Sequence, residues 1–200
     1  MLLTSQTHPL QIAELETGPR KGRIGVTFAP GKHQMHAVTG SWRRDLAADL
    51  DVIAGWNARA VVTLLEGHEI IDLRISDIGD EVRLRKMEWF HLPIPDFGVP
   101  SADFEAEWPV HSERLRKILD SGGNILVHCK GGLGRAGMIA ARLLVELGAK
   151  PDEAIAKVRA SRGKGAIESR SQEDWVRTGS RSSPLGDCRP SAAYLPASAR

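Results

Sequence analysis

Short apolar runs alternate along the chain with longer segments in which apolar residues recur every three or four positions. The runs favour buried strands, and the longer spacing favours helices that bury one face. Strands are predicted at 23–29, 60–65, 89–94 and 125–127, and helices at 41–56, 80–86, 101–120, 138–147, 151–159 and 168–177. This order predicts an α/β fold whose central, mostly parallel sheet is flanked by helices on both faces. Such sheets bind ligands at the carboxyl ends of their strands.

The two ends of the chain do not share this alternation. We expect residues 1–21 to form a loosely ordered N-terminal arm. Residues 179–200 mix small, turn-forming and basic residues without periodicity, which is typical of a disordered tail. One domain is therefore expected between them, at residues 22–178.

Composition narrows the class of protein. The chain has 200 residues, of which 42% are apolar and 26% charged, and this is enough for one substantial core. A net charge of +2 gives no case for binding nucleic acid. The sequence has no apolar stretch that could span a bilayer and no signal-peptide pattern at its start. We expect a monomeric cytoplasmic protein without nucleic-acid or membrane partners.

Two cysteines are present, and they differ in setting. Cys129 follows a predicted strand, whereas Cys188 falls in the predicted tail, where an uninvolved thiol is the simpler interpretation than a trap for oxidised Cys129. So few cysteines argue against a disulfide scaffold and for a reducing compartment. His128 has no partners at metal-ligand spacing, so no metal site is expected.

The segment from His128 to Arg135 lies between a predicted strand and a predicted helix. It reads His-Cys-Lys-Gly-Gly-Leu-Gly-Arg. Its three glycines allow a tight turn whose N–H groups converge on one point, and the helix start adds positive potential there. Arg135 adds a planar charged fork that suits phosphate oxygens. The same field favours the thiolate of Cys129, so an anion site and a nucleophile are predicted to coincide.

Cys129 could instead be a small buried apolar residue, which is a common role for a lone cysteine. A packing role does not require a histidine, three glycines and an arginine at these offsets. The catalytic interpretation is therefore favoured.

The run 128–135 resembles the signature loop of the cysteine-dependent protein tyrosine and dual-specificity phosphatases. Within that superfamily, Gly131-Gly132-Leu133-Gly134-Arg135 is most similar to the cyclin-dependent kinase-associated phosphatases. The resemblance extends over residues 22–178 and includes the segments 93–100 and 165–169. It implies a phosphatase domain there, a cysteinyl-phosphate intermediate and no cofactor.

The resemblance also implies roles for further residues. Asp96 lies in a proline-bounded loop and corresponds to the general acid, although a plain turn aspartate or a helix N-cap would fit the local sequence too. His128 would support the hydrogen-bond network behind the cysteine, and Gln172 would orient water, with a solvated glutamine as its alternative. The predicted phosphate-binding residues are Lys130, Gly131, Gly132, Leu133, Gly134 and Arg135.

One position departs from the family pattern. Ala136 replaces the Ser or Thr whose hydroxyl, in that family, bonds the cysteine sulfur and helps it leave in the second step. A hydrogen bond to a charged group is worth about 1.5–3 kcal/mol. The departure predicts slower hydrolysis of the intermediate without abolishing activity.

The sequence thus predicts a phosphomonoester hydrolase that acts on a phosphorylated protein or peptide. A short chain without an inserted phosphotyrosine-recognition segment suggests a shallow pocket and hence dual specificity. A catalytically weak module that binds phosphorylated ligands, or a phosphatase for a non-protein phosphate ester, remain alternatives. Sulfur transfer and arsenate reduction are disfavoured. Enzymes with those activities either lack an acid-bearing loop well upstream of the cysteine or have the cysteine near the N-terminus, whereas here Asp96 lies well before Cys129.

Overall fold

Eight strands and seven helices form the part of the chain that the computed structural model describes, residues 2–37 and 40–178. The strands are β1 (Leu2–Leu3), β2 (Ala13–Glu16), β3 (Arg23–Phe28), β4 (His33–Ala37), β5 (Gly40–Arg43), β6 (Ala58–Thr63), β7 (Glu88–His91) and β8 (Asn124–Cys129). The helices are α1 (Leu46–Gly55), α2 (Gly67–Asp72), α3 (Ile78–Leu84), α4 (Ala102–Asp120), α5 (Gly134–Glu146), α6 (Pro151–Arg162) and α7 (Arg170–Thr178). The predicted tail at 179–200, with Cys188, lies outside the described residues.

A five-stranded sheet in the order β2-β3-β8-β6-β7 forms the centre. Strands β3, β8, β6 and β7 are parallel, and β2 runs antiparallel to β3 at one edge. The predicted α/β fold is confirmed. The sheet is mixed because β2, which precedes β3 in the chain, pairs with β3 in the antiparallel direction.

Alternate residues of the central strands face two separate cores, as the pleat requires. Ile125 and Val127 of β8 pack with side chains of α4, α5, α6 and α7. Leu126, between them, packs with side chains of α1, α2 and α3 on the other face. Helices therefore cover both faces of the sheet, and β8 is buried at its centre.

Several predicted elements need correction. The helix predicted at 41–56 is a strand followed by a helix, because Asp45 caps α1 by accepting from Ala48 N at 2.9 Å. Strand β5 pairs with β1 and β4 in a small second sheet. Residues 80–86, predicted as part of a short helix, lie in α3 only as far as Leu84, and the helix begins at Ile78. Helix α2 was not predicted, since its six residues are too short for a periodic pattern.

The N-terminal segment is not the loosely ordered arm expected over residues 1–21. Strand β1 pairs in parallel with β5, and β2 pairs with β3. Two apolar side chains in this polar stretch, Leu10 and Leu15, are buried in the two cores. Their burial holds the segment on the domain.

No helix among residues 2–37 and 40–178 has the length and apolar character needed to cross a membrane.

A buried ion pair joins the small sheet to α1. The Arg44 guanidinium donates from Nε and Nη2 to the Asp49 carboxylate, both at 2.7 Å, and from Nη1 to His8 O at 2.7 Å. Asp49 also accepts from Gly31 N at 2.9 Å. Both ionic side chains are buried, so each depends on the other for its counter-charge.

Asp49→Ala should lower the free energy of unfolding by about 3–5 kcal/mol, because it leaves Arg44 buried without a counter-charge. Urea unfolding followed by circular dichroism measures this change. Asp51→Ala is the matched control, since Asp51 also pairs with an arginine but its side chain is 70% exposed, and it should cost less than about 1 kcal/mol. Equal losses in the two variants would contradict the assignment of Arg44 and Asp49 as a structural anchor.

Candidate active site

Cys129 is the last residue of β8, and only four residues separate it from the first residue of α5. Register places Phe28 of β3 opposite Cys129 and Thr63 of β6 opposite His128. The cysteine therefore lies at the carboxyl end of the sheet, as the sequence predicted. Its Sγ accepts from Gly132 N at 3.2 Å, and the residue is 2% exposed.

The loop between Cys129 and α5 turns its carbonyl groups to one side. Carbonyls of residues 130 and 133 accept from the backbone N–H groups of Ala29 at 3.4 Å and Gly137 at 2.9 Å. Carbonyls of residues 131 and 132 accept from the guanidinium of Arg162 at 3.1 and 2.9 Å. In a planar trans peptide group, the N–H of the following residue points in the direction opposite to the C=O. The N–H groups of residues 131–134 therefore face the other side, where they can hold an anion.

The surroundings require glycine at position 132, and at position 134 a larger residue would displace a neighbouring side chain. Gly132 has φ +71°, and a Cβ there would lie 2.4 Å from the carbonyl carbon of Thr27. A Cβ on Gly134 would lie 2.1 Å from Glu168 Oε2. Gly131 faces open space, so neither a neighbouring side chain nor the backbone conformation demands glycine there.

The guanidinium of Arg135 is held by a carboxylate that the sequence reasoning missed. Its Nη1 and Nη2 donate to Glu69 Oε2 and Oε1 at 2.6 and 2.9 Å, and Nη1 also donates to Ile94 O at 3.0 Å. Arg135 and Glu69 are both 2% exposed. This two-point contact fixes the plane of the guanidinium.

Glu69 is prepared for this contact by α2 itself. It forms a capping box with Glu66, in which Glu66 N donates to Glu69 Oε2 at 3.0 Å. Burial alone would raise the pKa of Glu69, but the hydrogen bond from Arg135 and the Glu66 N–H hold the pKa below its ordinary value. The Glu-Gly-His-Glu run could have signalled a helix start, but nothing local indicates its partner 66 residues away.

Asp96 lies beside the same guanidinium. Its Oδ1 accepts from Arg135 Nη2 at 2.7 Å, and its side chain is 48% exposed. It is not the N-cap of the following helix, because Ser101 caps α4 by accepting from Phe104 N at 3.2 Å. The structure thus brings Asp96 to the rim of the loop that begins at Cys129.

Gln172 is fully buried, so the solvated alternative for it is wrong. Its Nε2 donates to Gly98 O at 3.1 Å, and its Oε1 accepts from Glu168 N at 2.9 Å. The amide therefore joins the loop that carries Asp96 to the segment before α7. Nε2 would also be 3.1 Å from a Cβ on Gly134, which places the amide against the loop.

Glu168 brings a second carboxylate to this rim, and the sequence reasoning assigned it no role. Burial raises its pKa, and the nearby charge of Asp96 raises it further, while the Gly134 N–H opposes this rise only in part. The carboxylate thus lies beside Gly134, at the end of the loop.

His128 lies behind the cysteine in a buried network. Its Nε2 is 2.8 Å from Thr63 Oγ1, which also accepts from Trp89 Nε1 at 2.9 Å. Burial lowers the pKa of His128 to about 3, so the imidazole is neutral at physiological pH.

Three further cations surround the loop. Lys32 is buried, with Nζ 4.9 Å from the ring centroids of Phe28 and Trp42. Burial and the neighbouring Arg44 lower its pKa to about 8. Arg162 donates to the loop carbonyls, and Lys130 is partly exposed at the loop's start.

Ala136, in the first turn of α5, is fully buried.

Residues 38–149 match the model of a family described as Tc-R-P, "Polymorphic toxin system, DSP-PTPase phosphatase". The chain belongs to this family. The matched segment includes Cys129, Arg135, Asp96 and Glu69.

Curated relatives of this DSP-PTPase family member include mammalian proteins named cyclin-dependent kinase inhibitor 3. The Rattus norvegicus protein is 31% identical over 136 residues, and the Homo sapiens protein is 29% identical over 136 residues. Each alignment covers 67% of this chain and 63% of the relative. The chain thus spans less than two thirds of these relatives' length.

Solved structures show the same fold. Kinase associated phosphatase, with its catalytic-site cysteine replaced by serine, superposes with a TM-score of 0.73 at 25% identity, covering 85% of this chain and 93% of that one. Tk-PTP in its active form gives a TM-score of 0.61 at 27% identity and covers 82% and 95%. These findings confirm the predicted relationship to dual-specificity phosphatases.

The lowered pKa of His128 predicts a pH dependence of stability. Between its folded value of about 3 and the ordinary value of about 6.5, the unfolded chain binds a proton that the folded protein does not. Stability should therefore rise as the pH is raised from about 3 to 6.5 and be lost as the pH is lowered through this range, by up to about 1.4 kcal/mol per pH unit. His128→Gln should show a flatter dependence of unfolding free energy on pH.

Urea unfolding at a series of pH values between 4 and 7 measures these slopes. His36→Gln is the control, because His36 is exposed and should leave the slope unchanged. If His128→Gln keeps the wild-type slope, His128 is not neutral in the folded protein.

Proposed function

We propose that the protein is a phosphomonoester hydrolase of the protein-tyrosine and dual-specificity type, acting through a cysteinyl-phosphate. The observation that carries this proposal is the convergence of Cys129, Arg135 and Asp96 at one end of the sheet. Arg135 ends the loop that begins at Cys129, and its Nη2 donates to Asp96 at 2.7 Å. The related kinase associated phosphatase, whose catalytic site is a cysteine, supports the same role for Cys129.

In the first step, Cys129 Sγ attacks phosphorus and an S–P bond forms as the P–O bond to the leaving group breaks. Asp96 transfers its proton to the leaving oxygen, which departs as the alcohol or phenol. The loop N–H groups and Arg135 stabilise the charge on the three other phosphate oxygens. Lys130, Gly131, Gly132, Leu133 and Gly134 supply the walls of this anion site.

In the second step, water attacks the cysteinyl-phosphate and the S–P bond breaks. Asp96, now ionised, accepts a proton from that water, and inorganic phosphate leaves the regenerated thiolate. Gln172 supports this step by holding the Asp96 loop through Gly98 O, beside the place where water would attack. His128 acts as a positioning residue behind the cysteine.

Glu69 keeps the phosphate-binding edge of Arg135 free. It occupies Nη1 and one N–H of Nη2, which leaves the edge made by Nε and the remainder of Nη2. Asp96 accepts a hydrogen bond from this edge. A phosphate that binds there releases the Asp96 carboxyl toward the leaving oxygen.

The proposed substrate is a phosphorylated protein or peptide. We infer phosphotyrosine as a target and acceptance of phosphoserine and phosphothreonine, since Asp96 and the loop lie at an open rim with Asp96 half exposed. A rim of this kind admits both long and short phosphorylated side chains.

A phospho-ligand binding module is the second candidate, and Ala136 favours it. The hydroxyl that the family uses to assist departure of the cysteine sulfur is replaced here by a buried methyl group. A protein that forms the intermediate and hydrolyses it slowly would retain its phosphate.

Hydrolysis of para-nitrophenyl phosphate without added metal distinguishes the two candidates. We expect steady turnover in the wild type, no turnover in Cys129→Ser, and a loss of about 10²- to 10⁴-fold in Asp96→Ala, the usual contribution of a positioned acid. Asp103→Ala, an exposed aspartate near the same loop, should retain wild-type activity. Turnover that survives in Cys129→Ser would exclude the cysteinyl-phosphate mechanism, and tight phosphate binding without turnover would support the binding module.

Ala136→Ser should accelerate the second step. If the new hydroxyl donates to the Cys129 sulfur, the 1.5–3 kcal/mol of such a bond corresponds to an increase of about 10- to 100-fold in hydrolysis of the intermediate. Rapid-mixing kinetics should show a burst of nitrophenolate in the wild type and a smaller burst, with faster steady turnover, in the variant.

Ala140→Ser is the matched control, because Ala140 is also buried in α5 and lies farther from the sulfur along the helix. It should leave the burst unchanged. An equal rate in wild type and Ala136→Ser would show that departure of the sulfur does not limit turnover.

A further inference from the structure

A groove of about 430 Å³ adjoins the proposed active site. Strand β4 and the end of β5 form one side, and the residues at and after the end of α2 form the other. Lys130, the residue directly after Cys129, lies in its lining. The groove and the proposed anion site therefore share a residue.

The lining of this groove is positively charged. It contains Lys130, Arg43 and Arg74 against one carboxylate, that of Asp72. Arg43 and Arg74 are exposed, and none of the three cations forms a salt bridge within the described ranges 2–37 and 40–178. Their charge is thus available to a ligand.

Secondary structure holds the two sides of the groove in place. His33 N donates to Leu73 O at 3.0 Å, which joins β4 to the end of α2. The register of β4 and β5 sets His33 opposite Arg43. Arg74 has φ +58° and its N donates to Ile71 O at 3.0 Å, so its backbone continues directly from the helix.

The chemistry of the lining selects an anionic, extended ligand. Arginine forks bind carboxylates at two points, and the exposed thioether of Met35, 57% exposed as a residue, offers apolar contact between the charges. An extended peptide advances about 3.3 Å per residue. A peptide whose phosphorylated residue lies in the loop and whose chain continues past Lys130 would enter the groove that Arg43 and Arg74 also line.

We propose that this basic groove binds acidic residues that flank the phosphorylated residue of a peptide substrate. This inference rests on the proposed phosphatase function, since it assigns part of the substrate to a surface next to the same loop. The occupant is an acidic peptide segment, and the contacts are ionic.

Two phosphotyrosine peptides test the proposal, one with Asp and Glu on both sides of the phosphotyrosine and one with Asn and Gln at the same positions. The wild type should show a kcat/KM for the acidic peptide about 3- to 20-fold higher, as a few exposed charge contacts provide, and the preference should shrink at 0.5 M salt. The double variant Arg43→Gln, Arg74→Gln should lose the preference and keep its activity on para-nitrophenyl phosphate. The double variant Arg20→Gln, Arg83→Gln makes the same change in net charge elsewhere and should keep the preference.

Binding measured without turnover separates this proposal from the proposed function. Fluorescence anisotropy with labelled peptides and the Cys129→Ser background should give the same ranking of affinities, even if the wild type hydrolyses nothing. Equal values for the two peptides in both assays would overturn the proposal. A double variant Arg43→Gln, Arg74→Gln that weakens the binding of both peptides equally would also overturn it. The same holds if these two arginines affect binding to anionic phosphoinositide vesicles but not to either peptide.

Discussion

The ion pair between Arg135 and Glu69 is the contact on which the proposed active site depends. Each group is almost completely withdrawn from water, so each would be costly to bury alone. Their pairing joins the first turn of α5 to the short helix α2 across the carboxyl end of the sheet. Because Glu69 takes one edge of the guanidinium, the other edge has a fixed direction, and Asp96 lies against it. One buried interaction thus sets the orientation of the anion-binding arginine and the position of the proposed acid.

The rest of the site is arranged around this pair by elements that are distant in sequence. Arg162 of α6 holds the loop carbonyls, and Gln172 of α7 holds the Asp96 loop. Glu168 adds a negative charge where a phosphate would enter. A bound phosphate therefore meets strong positive potential at the base of the site and a carboxylate at its rim.

The sequence was sufficient to predict what is encoded locally. A strand before Cys129, a glycine-rich turn and a helix after Arg135 are properties of one short segment, and the structure has all three. The strand and the helix both extend further toward the turn than the predicted bounds of 125–127 and 138–147. The roles of Glu69 and Glu168 could not be predicted, because each depends on contact with a residue far along the chain and neither belongs to a periodic pattern. The helix predicted at 41–56 failed for a related reason: residues 40–43 pair with β1 and β4, and such pairing overrides a local helical spacing. The prediction of a loosely ordered arm at 1–21 failed because two buried leucines, Leu10 and Leu15, and the pairing of β1 and β2 hold this segment on the domain.

The outward bonds of the loop carbonyls have a consequence for ligand binding. A peptide group in this loop cannot rotate unless it gives up its donor from Arg162, Ala29 or Gly137. The dipoles of the empty loop therefore already have the orientation that an oxyanion needs, and little conformational entropy remains to be lost when one arrives. Selectivity among oxyanions would then follow from shape, since a rigid ring of dipoles rewards the ion whose oxygens coincide with it and cannot adapt to one whose oxygens do not.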